Sequence, residues 1–237
     1  MREPDALQFL EAAQEEFQKH TDDGTLEIIS LSDFPEGFRL FLAAWVMKRK
    51  RKVRTREAHK RKARLNFDGF KQKKEDYDQT FAPVVSWESV CILLTLALRN
   101  GWHAIQLNHV LAFPQAPVDW ECYMQIPKGI KIDRPGKWAL QVHKNICGQK
   151  QAGRVWNQHL VDKLVKKVGF KQSEHNECVF YCGNVMCALH TDDSILAGQD
   201  KKELQQVIAD IKKAGPDVTE EGDIEDFLGV GQHQPGG

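Results

Sequence analysis

The feature that most constrains this chain is a break in an apolar pattern near its C-terminal third. Val185 to Leu189 and Ser194 to Ala197 read as two strands, and His190-Thr191-Asp192-Asp193 interrupts them. Two runs this short, separated by a tight polar turn, fold as a hairpin. The turn then holds two adjacent carboxylates that repel each other, from which a sheet gains nothing. A divalent cation would neutralise them, and hard oxygen donors suit magnesium or manganese. An ordinary surface turn rich in Asp is the competing reading, and the residues alone leave it open.

The rest of the chain alternates helices and strands. Residues 5 to 18 place Ala6, Leu7, Leu10, Ala13 and Phe17 on one helical face. Segments 38 to 52 and 60 to 68 form the arms of a long hairpin with a charged turn. Ser86 is a helix N-cap and Asn100-Gly101 its stop, followed by a strand over Ala104 to Asn108. Residues 151 to 168 form an amphipathic helix with Val155, Trp156, Leu160, Leu164, Val165 and Val168 inward and Gly169 at its end. A strand at Cys178 to Tyr181 and a turn at Cys182-Gly183-Asn184 lead into the hairpin.

Net charge is zero, but it is unevenly placed. Lys and Arg crowd residues 48 to 74, from Lys48 through Lys62 and Arg64 to Lys74, against only Glu57 and Asp68. Such a field attracts phosphate backbones and triphosphates, although a solvated basic hairpin carries the same charges. Asp217, Glu220, Glu221, Asp223, Glu225 and Asp226 reverse the balance near the end. No apolar run approaches the roughly 18 to 20 residues of a membrane span. The opening Arg2, Glu3 and Asp5 are unlike a secretory leader, and six scattered cysteines read as reduced thiols. The expected location is therefore intracellular. His175, Cys178, Cys182 and Cys187 are zinc-type donors, but their spacing matches no paired knuckle.

The phrases KARLNFDGFKQ, DYDQTFAPVVSWESV, GWHAIQLNHVLAFPQAPV, CYMQIPKGI, NICGQKQAGRVWN and HTDDSILAG follow one another in an order and spacing that resembles the reverse transcriptase of copia-type retrotransposons. The resemblance runs from about residue 3 to about residue 230. It implies an α+β right-hand polymerase, with fingers over about 1–100, palm over about 101–230, a divergent tail at 231–237 and no thumb. An antiparallel palm sheet backed by helices would carry the metal site. It further implies RNA-directed DNA synthesis with Mg2+ or Mn2+, and template-primer and deoxynucleoside triphosphates as partners. The setting would be a retrotransposon polyprotein in a cytoplasmic virus-like particle, with no membrane.

By the same resemblance Asp192 and Asp193 match two of three metal-binding aspartates, while Asn108 stands where the third belongs. Phe113 matches the ring that excludes a 2′ hydroxyl. Lys62 and Arg64 match cations that grip the triphosphate, and Gly148, Lys150, Gln151 and Arg154 match the nucleotide and template pocket. Cys147 and His190 replace tyrosines usual in the family, and Leu26 replaces a tryptophan. The expectation is an impaired polymerase, or else a non-catalytic remnant that still binds nucleic acid.

Overall fold

The computed structural model describes residues 5–51 and 58–222. The charged turn with Lys52, Arg54 and Arg56 lies outside the described residues, as do Arg2, Glu3 and the tail from Asp223 onward. In chain order the elements begin with α1 (Ala6–Asp22), β1 (Leu26–Ser30), β2 (Leu40–Phe41), β3 (Ala43–Arg51) and β4 (Ala58–Phe67). Next come α2 (Trp87–Asn100), β5 (His103–His109), β6 (Pro117–Gln125), β7 (Trp138–Lys144) and α3 (Ala152–Lys163). The chain continues with β8 (Lys171–Gln172), β9 (Val179–Cys182), β10 (Val185–His190), β11 (Asp193–Gly198), α4 (Lys201–Lys213) and β12 (Val218–Gly222). The expected mixed α+β class is what forms. Among the described residues no helix is long and apolar enough to cross a membrane.

The chain groups into two compact units, 1–80 with 116–155, and 81–115 with 156–237. In the first unit β1, β7, β6 and β2 form a four-stranded sheet in that order, β2 joining β6 in parallel, and β3 pairs with β4 as a separate hairpin. Phe17, Leu26, Phe41, Leu65, Phe67, Met124, Leu140 and Ile146 fill its core. Leu26 is one of these buried residues.

The buried face of α1 is Phe9, Ala13, Phe17 and His20. That stripe is offset from the expected one, and Leu7 is 75% exposed. Phe9 and Phe17 bury more apolar surface than Leu7 and Leu10 could, and so decide which face turns inward.

The second unit is built on a six-stranded sheet in the order β12, β5, β11, β10, β9, β8, antiparallel throughout. Val90, Leu93 and Ala97 of α2 pack with Cys178, Ala188, Ile195 and Ala197. The Ser86 hydroxyl accepts from the Ser89 N–H, and Gly101 closes α2 in the left-handed region at φ 64°. Beyond α3 the expected helix continues as one π turn over Leu164–Val168 before Gly169 ends it. The wider turn shifts the inward face, so Leu164 is buried and Val165, expected inward, is 38% exposed.

Candidate nucleotidyl-transfer site

In the second unit β10 and β11 pair from Val185↔Gly198 to His190↔Asp193, leaving Thr191-Asp192 as a two-residue loop. Thr191 has φ 50°, a conformation that a β-branched residue adopts at a cost of about 1–3 kcal/mol. Two buried neighbours hold it there. The Trp156 indole N–H donates to the Thr191 carbonyl at 2.7 Å, and the His109 backbone N–H donates to the Asp192 carbonyl at 2.6 Å.

Trp156 is 2% exposed, and its ring meets the His109 imidazole edge to face at 5.4 Å. Burial pushes His109 down to about 4 although the Asp192 charge opposes it, so this imidazole is neutral near pH 7. Its Nε2 lies 3.4 Å from the Ser194 hydroxyl. Trp156→Phe removes the donor and leaves a smaller ring in a buried site, so the lost hydrogen bond and the cavity together should cost about 2–3 kcal/mol in urea unfolding.

β11 also pairs with β5, and Asp193 faces Asn108 directly. The Asn108 Nδ2 donates to the Asp193 Oδ1 at 3.3 Å. Two residues back on the same face of β5, the Gln106 amide lies 3.5 Å from the same oxygen and 3.4 Å from the Glu221 carboxylate. Burial and the neighbouring Asp192 charge raise the Asp193 pKa, and the two amides only partly offset this. Asn108, Asp192 and Asp193 therefore share one end of the sheet, although more than eighty residues separate them in sequence.

The donors are hard oxygens in a partly desolvated, charge-stressed pair, which fits one divalent cation. They do not make a complete set. Among the described residues no group of three His, Cys, Asp or Glu is disposed to hold a metal ion. The candidate zinc residues fare no better, since Cys178 and Cys187 are buried and burial pushes their thiols up to about 11 and about 12.

Phe113 is half-buried in a 3-10 turn, Phe113–Gln115, that follows β5. Gln115 ties this turn down. Its Nε2 donates to the Val110 carbonyl at 2.6 Å and to the Asp217 carbonyl at 2.9 Å, and its Oε1 accepts from the Asp217 N–H at 2.8 Å. Gln106, Gln115 and the indole of Trp156 escaped sequence reading. The one legible hint was that an inward Trp must find a partner for its N–H.

The remaining expected residues lie in the first unit. Lys62 and Arg64 alternate with the buried Ala63, Leu65 and Phe67 along β4, so both project from the opposite face. Lys48 is the cross-strand partner of Lys62. Part of the basic run is already paired, because Arg49 and Arg61 both contact Asp5, at 2.8 and 2.9 Å, and hold its carboxyl below the usual range.

Lys150, Gln151 and Arg154 gather around Gln72 and Asp119, and Gly148 packs against Gly69 and Phe67. The Gln72 Oε1 accepts from the Lys150 N–H at 2.8 Å, and its Nε2 donates to the Gln151 Oε1 at 3.0 Å. Gln151 also donates to Asp119 at 3.2 Å, and Arg154 pairs with the same carboxylate at 2.8 Å. Gln151 is fully buried, with its amide spent in this network, whereas the Lys150 ammonium reaches the Gln72 carbonyl and sits 4.9 Å over the Tyr77 ring.

The antiparallel sheet thus presents Asp192 and Asp193 at a hairpin turn, with Asn108 on the neighbouring strand. The chain belongs to the family described as reverse transcriptase (RNA-dependent DNA polymerase), which matches it over residues 26–237.

Its relatives are of the copia type. It is 29% identical over 233 residues, 96% of its length, to the retrovirus-related Pol polyprotein from transposon TNT 1-94 of Nicotiana tabacum. It is 33% identical over 71% of its length to that from transposon RE2 of Arabidopsis thaliana, and 28% identical over 64% to the transposon Ty1-DR5 Gag-Pol polyprotein of Saccharomyces cerevisiae. The chain spans 17%, 12% and 8% of those three proteins.

Proposed function

We propose that this chain is the polymerase portion of a copia-type Pol polyprotein, and that its RNA-directed DNA synthesis is impaired at the metal site. In this reading the second unit carries the palm, with Asp192 and Asp193 as ligands for Mg2+ or Mn2+. The first unit carries the basic fingers hairpin and the Gln72–Gln151–Arg154 cluster. The observation that carries it is the direct pairing of Asn108 with Asp193 beside the carboxylate turn. When bound, divalent cations lower the charge barrier to attack of a primer hydroxyl on a nucleotide phosphate.

The residues supply the rest. Asp192 and Asp193 provide the negative charge, Trp156 and the His109 backbone hold their turn, and Phe113 borders the sugar and selects deoxynucleotides. Lys62 and Arg64 meet the triphosphate. Asn108 offers an amide oxygen without charge, and this favours a second reading in which template-primer binding survives and catalysis is lost.

Nucleic-acid binding tests the part common to both readings. Affinity for a template-primer duplex should be independent of sequence and fall steeply with salt, because each neutralised phosphate releases counterions. Lys62→Glu with Arg64→Glu should weaken deoxynucleotide binding more than duplex binding, as followed by fluorescence anisotropy. Duplex affinity that is unchanged between low and high salt would exclude the basic hairpin as the contact.

A further inference from the structure

Phe70 is 92% exposed, the most exposed large hydrophobic side chain among the described residues. A ring left in water gives up burial that would stabilise the fold, so its surroundings matter. It sits in a short 3-10 turn, Gly69–Lys71, whose two neighbours are fixed from below. Gly69 is buried so tightly that an added Cβ would lie 2.0 Å from the Gly148 carbonyl oxygen. Gln72 is 4% exposed, and both ends of its amide are spent on Lys150 and Gln151. The backbone between them is closed by Gln72 N–H donating to the Gly69 carbonyl at 3.1 Å, and Arg39 donates to the Lys71 carbonyl at 3.2 Å. The turn is thus a rigid mount that holds one aromatic ring outward.

Cations follow the ring in sequence, and Asp68 precedes it. Lys71, Lys73 and Lys74 are all exposed, while the nearby Asp76 is buried and held by Arg39. Glu75 is engaged by Lys73 at 3.5 Å and by Arg39 at 3.9 Å. An exposed aromatic ring followed in sequence by three exposed lysines fits a base stacked on the ring with its phosphates beside the ammonium groups. A hydrophobic protein partner would use the ring but gain nothing from the lysines.

We infer that Phe70 is a stacking platform for an unpaired base of single-stranded nucleic acid, with Lys71, Lys73 and Lys74 meeting the adjoining phosphates. This rests on the nucleic-acid reading above and names the ring that contacts a template overhang.

The test uses template-primers with a 5′ single-stranded overhang that carries 2-aminopurine at successive positions, against the whole chain, Phe70→Ala, Phe70→Leu and Phe70→Trp. Anisotropy and 2-aminopurine quenching are read together. Phe70→Ala and Phe70→Leu should weaken overhang binding about tenfold and lose quenching at one position, with blunt-duplex affinity and melting temperature unchanged. Phe70→Trp should keep both signals. If Phe70→Ala binds and quenches like the original chain, or Phe70→Leu matches Phe70, the stacking role is wrong while the polymerase reading stands. If the original chain binds no nucleic acid at any salt, both are overturned.

Discussion

Asn108→Asp is expected to make the protein less stable without a divalent cation and more stable with one. In the metal-free protein the substitution replaces an N–H donor 3.3 Å from the Asp193 carboxylate with a third carboxylate. Asp193 is already raised by burial and by Asp192, so another like charge should cost about 1–3 kcal/mol. A bound dication reverses the sign. One more unit charge about 4 Å from it is worth several kcal/mol even at an effective dielectric constant of about 20, and part of that is spent on relieving the repulsion.

The net expectation is Mn2+ binding tighter by about tenfold to a hundredfold, or about 1.4–2.7 kcal/mol. Stability should rise with Mn2+ concentration in Asn108→Asp and far less in the original chain. Thermal unfolding with chelator and with Mn2+ measures both halves. Equal response of the two proteins to Mn2+ would show that residue 108 is not a ligand.

Gly148→Ala should be among the most damaging single substitutions. Gly148 has φ 95°, and an added Cβ would lie 2.1 Å from the Phe67 carbonyl oxygen, with backbone rather than a movable side chain in the way. Phe67 cannot retreat easily, because its N–H donates to the Cys147 carbonyl at 2.7 Å and its ring is in the core. Conformational strain and the clash together should cost about 3 kcal/mol or more, a large share of the roughly 5–15 kcal/mol that domains possess.

Gly101→Ala is the control. Its φ is 64°, and nothing lies within 4 Å of the added Cβ, so the loss should be about 1 kcal/mol. Urea unfolding of the two variants separates clash from conformation. If Gly148→Ala retains full stability and only nucleotide binding falls, Gly148 is a ligand contact and not a packing requirement.

Local chemistry was legible where a single residue decides it. Ser86 and Gly101 bound α2 as read, and the apolar runs around His190-Thr191-Asp192-Asp193 pair as a hairpin. The meeting of Asn108 with Asp193 came from the resemblance, since no local pattern reports a pairing across more than eighty residues. α4 could have been read from Leu204, Val207, Ile208 and Ile211, which recur at helical spacing and are buried.

The first unit's sheet was harder. β6 carries Pro117, Asp119 and Glu121, residue types depleted in strands, and forms because Cys122, Tyr123 and Met124 are buried against neighbours far along the chain. That each unit is built from two separate stretches of chain leaves no mark in any short window. The Gln72–Gln151–Asp119 network belongs to the same class. Its residues are ordinary polar ones until the fold removes water from around them.

The claim that Asp192 and Asp193 form a polymerase metal pair with its third ligand missing is tested most directly by single-nucleotide primer extension. The assay compares the original chain, Asn108→Asp, and Asn108→Asp with Asp192→Asn, each in Mg2+ and in Mn2+. The account predicts little extension by the original chain in Mg2+ and a trace in Mn2+. Asn108→Asp should gain about tenfold or more, equivalent to about 1.4 kcal/mol of barrier, and the double variant should lose that gain. Robust Mg2+-dependent extension by the original chain, or a gain that survives Asp192→Asn, would contradict it.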